Sequence, residues 1–304
     1  MAARTNGVPS TFDVRLVQVK PSKGRYAENL AQAGNIFEQI VAEKTPDLIV
    51  FPEGAMTGYF LEGAVYDLAR SAPVFAGDLV RAWREGAGDR EVELASGFYE
   101  NDDGTYYNSA LYVRVGRKDH EILHVHRKMF LPTYGVFDEA RFLSRGRRLQ
   151  TFETRIGRVA MLICEDVWHA IMPTIAAIKG ARVLIVPSAA PGRGIEGESE
   201  LTSITRWREI LRTTASEHGV YVLYAGLTGF EGGKGMTGSS SIIDPRGVVT
   251  VEAPEFGECV VSGTIDLREA DLARATLPLL GDLNAVLPDL LLDEELPLPK
   301  GRPS

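Results

Sequence analysis

The sequence predicts a mixed α/β (α+β) protein in which helices face two sheets, and three observations carry that prediction. The chain opens with a strand, an amphipathic helix and a fully apolar strand. A run of three strand-like segments separated by turn residues follows, and short apolar runs then alternate with helical stretches through the second half.

Residues 12–19 (FDVRLVQV) alternate apolar and polar side chains, the period-two pattern of a strand. Within residues 25–44 the apolar positions Leu30, Ala33, Ile36, Phe37, Ile40 and Val41 recur at three- and four-residue steps, so one face of a helix is apolar. DLIVF, residues 47–51, lacks a polar face and reads as a buried strand ending at Pro52 and Glu53. Helical stretches at 64–70 and 77–85 lead to strands at 92–99, 107–115 and 121–126. Turn residues Asp102, Asp103, Gly104 and Gly116 divide these strands and imply an antiparallel meander. Residues 129–146 (MFLPTYGVFDEARFLSRG) show no periodic pattern, and a loop of that length in a compact domain is usually functional.

A buried strand at 159–163 delivers Cys164 to a polar exit, Glu165 and Asp166. A helix at 170–179, a strand at 183–186, the loop PSAAPGRGIEG, a helix at 202–217 and a strand at 220–224 follow. Strands at 240–243, 248–251 and 259–265 close the series, with a turn at Asp244-Pro245-Arg246-Gly247. No linker divides the chain, so a single domain is expected over residues 11–266. Residues 1–10 are expected to be disordered. The leucine-rich tail, 267–304, is expected to pack on a partner subunit or on the domain's own flank.

Composition removes several function classes. The 33 Lys+Arg against 41 Asp+Glu give a formal net charge of −8, and no basic stripe marks a nucleic-acid or anionic-membrane surface. Every apolar run is shorter than the roughly 18 residues that span a bilayer, and the first ten residues lack the apolar core of a signal peptide. A cytoplasmic protein is expected. Cys164 and Cys259 are far apart without metal-ligand spacing, so neither a disulfide nor a zinc site is expected.

The chemistry is expected where strands end. Glu53 follows DLIVF, Lys128 follows EILHVH after one residue, and Cys164 follows VAMLI, and side chains at carboxyl ends of strands face the region where α/β sheets bind ligands. A helix starting near Asp166 would favour a thiolate at Cys164 through its dipole. Taken alone, a cysteine in an apolar run reads as a buried structural residue. Beside a carboxylate that can take its proton and an ammonium that can stabilise an oxyanion, it reads as a nucleophile toward a carbonyl or nitrile carbon.

Phe51-Pro52-Glu53 with Thr57-Gly58-Tyr59, Arg127-Lys128 with Leu131-Pro132 and Phe137-Asp138-Glu139, and Ile163-Cys164-Glu165-Asp166 resemble the three signature blocks of the nitrilase or carbon-nitrogen hydrolase superfamily in order and spacing. Pro187-Ser188-Ala189, Ala215 with Glu217, and Gly238-Ser239 through Asp244-Pro245 and Gly247 resemble its later motifs. The resemblance implies a four-layer α-β-β-α sandwich that forms a homodimer or larger assembly. It implies Glu53 as general base, Lys128 as oxyanion-stabilising group, Cys164 as nucleophile forming a thioester, and Glu139 as a second carboxylate that orients the lysine and substrate or helps move a proton. The backbone N–H of Glu165 would be a second oxyanion donor, and no metal or cofactor is implied. The expected substrate is a small linear amide, with nitriles and N-carbamoyl compounds left open.

A narrower resemblance, carried by RKMFLPTYGVFDE, ICEDVW and Leu277-Pro278-Leu279-Leu280, is to the glutaminase domain of glutamine-dependent NAD synthetases. No Gly-rich phosphate loop of the ATP-pyrophosphatase kind appears. The alternatives are therefore a free-standing amidase and a glutaminase subunit that supplies a separate synthetase partner. The matching motifs make Tyr59, Tyr134, Glu165 and Trp168 candidate pocket residues, with Ser188 and Ala189 as further contacts. Tyr134, Phe137 and Trp168 also read as core aromatics. Asp166 reads as a helix-start acid, and Arg193 as a solvated loop residue or a carboxylate ligand. The histidines lack metal spacing, so packing or surface roles are expected. Cys259 reads as a small buried hydrophobe.

Overall fold

A computed structural model describes residues 10–196 and 200–292. In chain order the first half contains β1 (Thr11–Gln18), α1 (Tyr26–Glu43), β2 (Leu48–Val50), α2 (Val65–Leu68), α3 (Ala72–Ala87), β3 (Val92–Asp102), β4 (Thr105–Val115), β5 (His120–Arg127), α4 (Glu139–Phe142), β6 (Phe152–Thr154) and β7 (Gly157–Met161). The second half contains α5 (Glu165–Trp168), α6 (Ile171–Ile178), β8 (Val183–Ser188), β9 (Ile195–Glu196), β10 (Glu200–Leu201), α7 (Thr202–His218), β11 (Tyr221–Gly226), β12 (Thr228–Glu231), β13 (Lys234–Thr237), β14 (Ser241–Ile243), β15 (Val249–Glu252), β16 (Cys259–Asp266), α8 (Leu267–Thr276) and α9 (Leu279–Leu292).

Two six-stranded sheets form the middle of the molecule, in the orders β16-β1-β2-β3-β4-β5 and β15-β14-β11-β8-β7-β6. Each has a parallel centre and antiparallel flanks: β1-β2-β3 and β7-β8-β11 run parallel. The parallel centres are covered on both faces, as such strands require. Alternation within a strand assigns the faces. Val14, Leu16, Leu48 and Val50 enter the core between the sheets, while Val17 and Ile49 enter a second core beneath α1 and α3. Helices α6 and α7 cover the second sheet, giving the α-β-β-α sandwich.

The expected helices and strands are present with modest boundary shifts. The stretch expected at 77–85 begins earlier, at Ala72, because Pro73 occupies the first helical turn, where its missing N–H costs nothing. The β12–β13 hairpin and the short strand β6 were not expected. Both are brief, and a Gly-rich hairpin of four-residue strands has no room to display a period. The tail through Leu292 forms α8 and α9, and α9 lies against α6 and α7 of its own chain while exposing Val286, Leu290, Leu291 and Leu292. Residues 1–9 and 293–304, covering most of the expected disordered segment and the end of the tail, lie outside the described residues. No single helix among the described residues is long and apolar enough to cross a membrane.

Candidate active site

Glu53, Lys128, Glu139 and Cys164 meet where strands of both sheets end. Glu53 follows β2, Lys128 follows β5 and Glu139 starts the single turn α4, so three chain segments converge on one buried point. Lys128 is fully buried, and its Nζ donates to Glu53 Oε1 at 2.8 Å and to Glu139 Oε1 at 2.7 Å. Burial alone would discharge the lysine, but the two carboxylates outweigh it and hold the ammonium well above its ordinary pKa. Glu139 is pushed up to about 7, chiefly by burial against the pull of Lys128.

Glu53 is fixed from three further directions. Asn108 Nδ2 donates to its Oε1 at 2.7 Å, and the backbone N–H of Ala189 donates to its Oε2 at 2.8 Å. The fourth constraint is steric: a Cβ on Gly97 would lie 2.5 Å from the Glu53 Cα, so only glycine in β3 lets the two backbones approach. Glu139 receives the Tyr59 hydroxyl, and Tyr59 in turn is placed by Tyr99, whose hydroxyl donates to the Tyr59 carbonyl at 2.7 Å. The buried carboxylate of Glu231, from the unexpected hairpin, accepts the N–H groups of Tyr59 and Phe60 at 2.9 and 3.1 Å.

Cys164 sits at the turn between β7 and α5 with φ 46° and ψ −102°, a left-handed backbone that a non-glycine residue adopts only under constraint. The constraint comes from Asp166, which is fully buried. Its carboxylate accepts the N–H groups of Met129 and Phe130 at 2.9 and 3.0 Å, that of Ile163 at 3.1 Å, and His126 Nε2 at 2.9 Å. One side chain thus ties the segment after Lys128 to the residue before Cys164. Asp166 stands in the first turn of α5, where a helix-start acid was expected, but its carboxylate also holds N–H groups outside that helix and gives buried His126 a specific partner. Helix α5 is a single turn, and the Cys164 thiol is raised, first by burial and then by the Glu53 charge, against a smaller opposing contribution from Lys128.

A cavity of about 70 Å³ opens beside Cys164, lined in part by Tyr134, Phe137, Glu165, Trp168 and Arg193. Tyr134 is half-exposed, and its hydroxyl donates to both oxygens of Glu165 at 2.9 and 3.0 Å. Trp168 packs edge-on against Trp207, with ring centres 5.2 Å apart. Arg193 lies over the Phe137 ring at 4.5 Å, and its buried Nη2 has no hydrogen-bond partner among the described residues. The remaining candidates fall elsewhere: Tyr59 serves Glu139, Ala189 serves Glu53 through its backbone, and the Ser188 hydroxyl lies beside Cys164 and Tyr224. Both cysteines are free, and Cys259 is only half-buried. Among the described residues no group of three or more His, Cys, Asp or Glu side chains could hold a metal ion.

Sequence reasoning missed Asn108, Tyr99 and Glu231. Asn108 left a trace, as a polar residue inside the apolar strand β4, whereas a glutamate beside a Gly-Gly turn carries no such signal.

Comparison with known proteins agrees with the fold. A carbon-nitrogen hydrolase from Helicobacter pylori superposes with a TM-score of 0.80 at 24% identity, covering 93% of this chain and 99% of that one. The glutamine-dependent NAD(+) synthetase of Thermotoga maritima is 28% identical over 258 residues, 84% of this chain but 42% of the synthetase, so the chain spans less than half the length of that relative. The omega-amidase NIT2 of Mus musculus is 28% identical over 287 residues, 91% of this chain and 97% of the amidase. Residues 13–275 match the carbon-nitrogen hydrolase family, and the chain belongs to it.

Proposed function

We propose that the chain hydrolyses the carbon-nitrogen bond of a small linear amide bearing a carboxylate, by way of a thioester on Cys164. The observation that carries this reading is the buried Glu53–Lys128–Glu139 cluster around a strained cysteine at the edge of a small cavity. At rest the thiol keeps its proton, because burial and Glu53 both oppose the thiolate. Attack therefore needs a base, and Glu53 takes the proton as the sulfur-carbon bond forms. The carbonyl oxygen gathers negative charge between the Lys128 ammonium and the Glu165 N–H, the first of α5 and so without a helical acceptor. Glu53 returns the proton to the leaving nitrogen as the carbon-nitrogen bond breaks, and ammonia departs. Water then adds to the thioester, Glu53 takes its proton, and the carboxylic acid and thiol are released. Glu139 and Tyr59 keep Lys128 in place throughout.

Arg193 sets the substrate class. A guanidinium over an aromatic ring with a buried, unpartnered Nη2 at the cavity wall matches a carboxylate at the far end of a short acyl chain. Glu165, on the same cavity, adds the opposite charge. That pairing favours a second reading in which the substrate is the zwitterion glutamine and the ammonia serves a separate synthetase. The acidic composition and free cysteines support a cytoplasmic setting for either reading.

Intact mass spectrometry with a panel of ω-amides of dicarboxylic acids, glutamine, neutral amides, nitriles and N-carbamoyl compounds tests the reading. The parent chain should gain the mass of the acyl group only from carboxylate-bearing amides, with ammonia released, and Cys164→Ala should gain nothing. Ammonia release by Cys164→Ala at the parent rate would overturn it. Glutamine turnover that rises only when a synthetase is added favours the second reading.

A further inference from the structure

We propose that the pocket walled by Arg127, Arg145, Arg147 and Arg148 binds a compact polyanion carrying phosphate groups, at a site separate from Cys164. The pocket encloses about 330 Å³ and is completed by Tyr107 and Gln150, a volume at the small end of small-molecule sites. Among the described residues no carboxylate lines it. In a chain of net charge −8, four guanidinium groups around one cavity run against the overall composition.

The backbone that presents these arginines is built to stay in place. Residues 143–150 have no regular structure, yet they are anchored by Leu143 in the cluster around Tyr99 and by Leu149 in the core between the sheets. Between the anchors, Ser144 N donates to the Tyr106 carbonyl at 2.8 Å and Gly146 N to the Lys128 carbonyl at 2.7 Å. A Cβ at position 146 would lie 2.0 Å from the Arg127 carbonyl oxygen, so glycine is what allows this strap to lie across the end of β5. The consequence is that Arg145, Arg147 and Arg148 stand exposed on a buttressed segment around Arg127.

Arg127 is already matched. Its guanidinium bonds Glu100 at 2.7 and 2.8 Å and Asp102 at 2.7 Å, and it lies 4.1 Å from the centre of the Tyr107 ring. Among the described residues Arg145, Arg147 and Arg148 have no ion-pair partner, and the Tyr107 hydroxyl has no hydrogen-bond partner. Three unmatched like charges held this close repel one another. A ligand with two or more negative charges offsets that repulsion, and the planar fork of arginine pairs with adjacent phosphate oxygens two at a time. The site does not merge with the catalytic one. Lys128 turns inward to Glu53 and Glu139, while Arg127 before it faces the surface.

Titration calorimetry of the full chain with inorganic diphosphate at low salt tests the proposal without reference to amide hydrolysis. One saturable site is expected, weakened by added salt and weakened at least about tenfold in the R145A/R147A/R148A variant. These side chains are exposed, so the variant should keep the parent's circular dichroism spectrum. Should it unfold, Arg148→Ala alone is measured in the same way, with weaker binding again expected. Absence of saturation, or unchanged affinity in the variants, overturns the site. Equal affinity for citrate overturns the phosphate assignment. Tighter binding to anionic lipid vesicles than to diphosphate overturns a soluble ligand in favour of a headgroup.

Discussion

The interior of the site and its mouth differ in how completely their charges are matched. Lys128 is held by two carboxylates, and Glu53 and Glu139 take further donors from Asn108, the Ala189 N–H and Tyr59. At the mouth, the Arg193 guanidinium lies over the Tyr134 and Phe137 rings, its Nη2 has no hydrogen-bond partner among the described residues, and Tyr134 is half-exposed. A closed, buried cluster is suited to steps that every substrate shares, because its geometry survives without a ligand. An open one leaves its bonding capacity for whatever enters. Under the proposed function, the interior groups carry the chemistry and the mouth the choice of substrate.

The interior should break hardest. Lys128→Met leaves two carboxylates buried around one missing cation, and breaking a buried pair in this way costs about 3–5 kcal/mol. We expect a loss of that order in urea unfolding and no measurable ammonia release. The sign of the pH dependence follows from Glu139, whose pKa is already raised by burial. A carboxyl with a raised folded pKa is stabilised in its protonated form, so the variant should be least destabilised near the ordinary carboxylate pKa and progressively weaker as pH rises toward 7 and above. A variant as stable as the parent at neutral pH would mean that the cluster is not the closed unit its hydrogen bonds describe.

The mouth should respond differently. Arg193→Ala should raise KM for a carboxylate-bearing amide about ten- to hundredfold, the worth of a charged hydrogen-bonded pair. Its kcat should stay within about twofold, with neutral amides unaffected. Arg193→Lys should restore little, since an ammonium cannot form the forked contact. A fall in kcat with KM unchanged would place Arg193 in the interior's role and erase the contrast between the two regions.

The same contrast explains how much was legible from sequence. Glu53, Lys128 and Cys164 stood out as candidates because each follows a strand-like run and, more specifically, lies in a block resembling the family's signatures, and Glu139 because it lies in a motif shortly after the lysine. The two-sheet architecture was legible for a related reason, since buried strands and amphipathic helices repeat over lengths that show a period. What supports those residues was less visible. Asp166 lies within the cysteine motif, yet its bonds reach Met129 and Phe130, more than thirty residues earlier. Glu231 reaches Tyr59 from a hairpin 172 positions away. Such contacts are products of the tertiary fold, and a single side chain bonding to distant backbone leaves no pattern in its own neighbourhood. Arg193 remained ambiguous for a different reason: a loop arginine over an aromatic ring and a solvated one look alike in sequence.

The smallest expected effect lies with Tyr134, where the mouth is most exposed. Its hydroxyl donates to Glu165, and both burial and that bond push its pKa up to about 12, so it remains a donor throughout the neutral range. Tyr134→Phe removes one hydrogen bond in contact with water, worth at most about 1 kcal/mol. KM should therefore rise less than about fivefold, and the melting temperature should fall by about 2 °C or less. Glu165 keeps its solvent contact in the variant, which is why the loss is small. If Tyr134→Phe instead abolished turnover, the hydroxyl would have to contact the reacting atoms, and the mouth would belong to the catalytic interior after all.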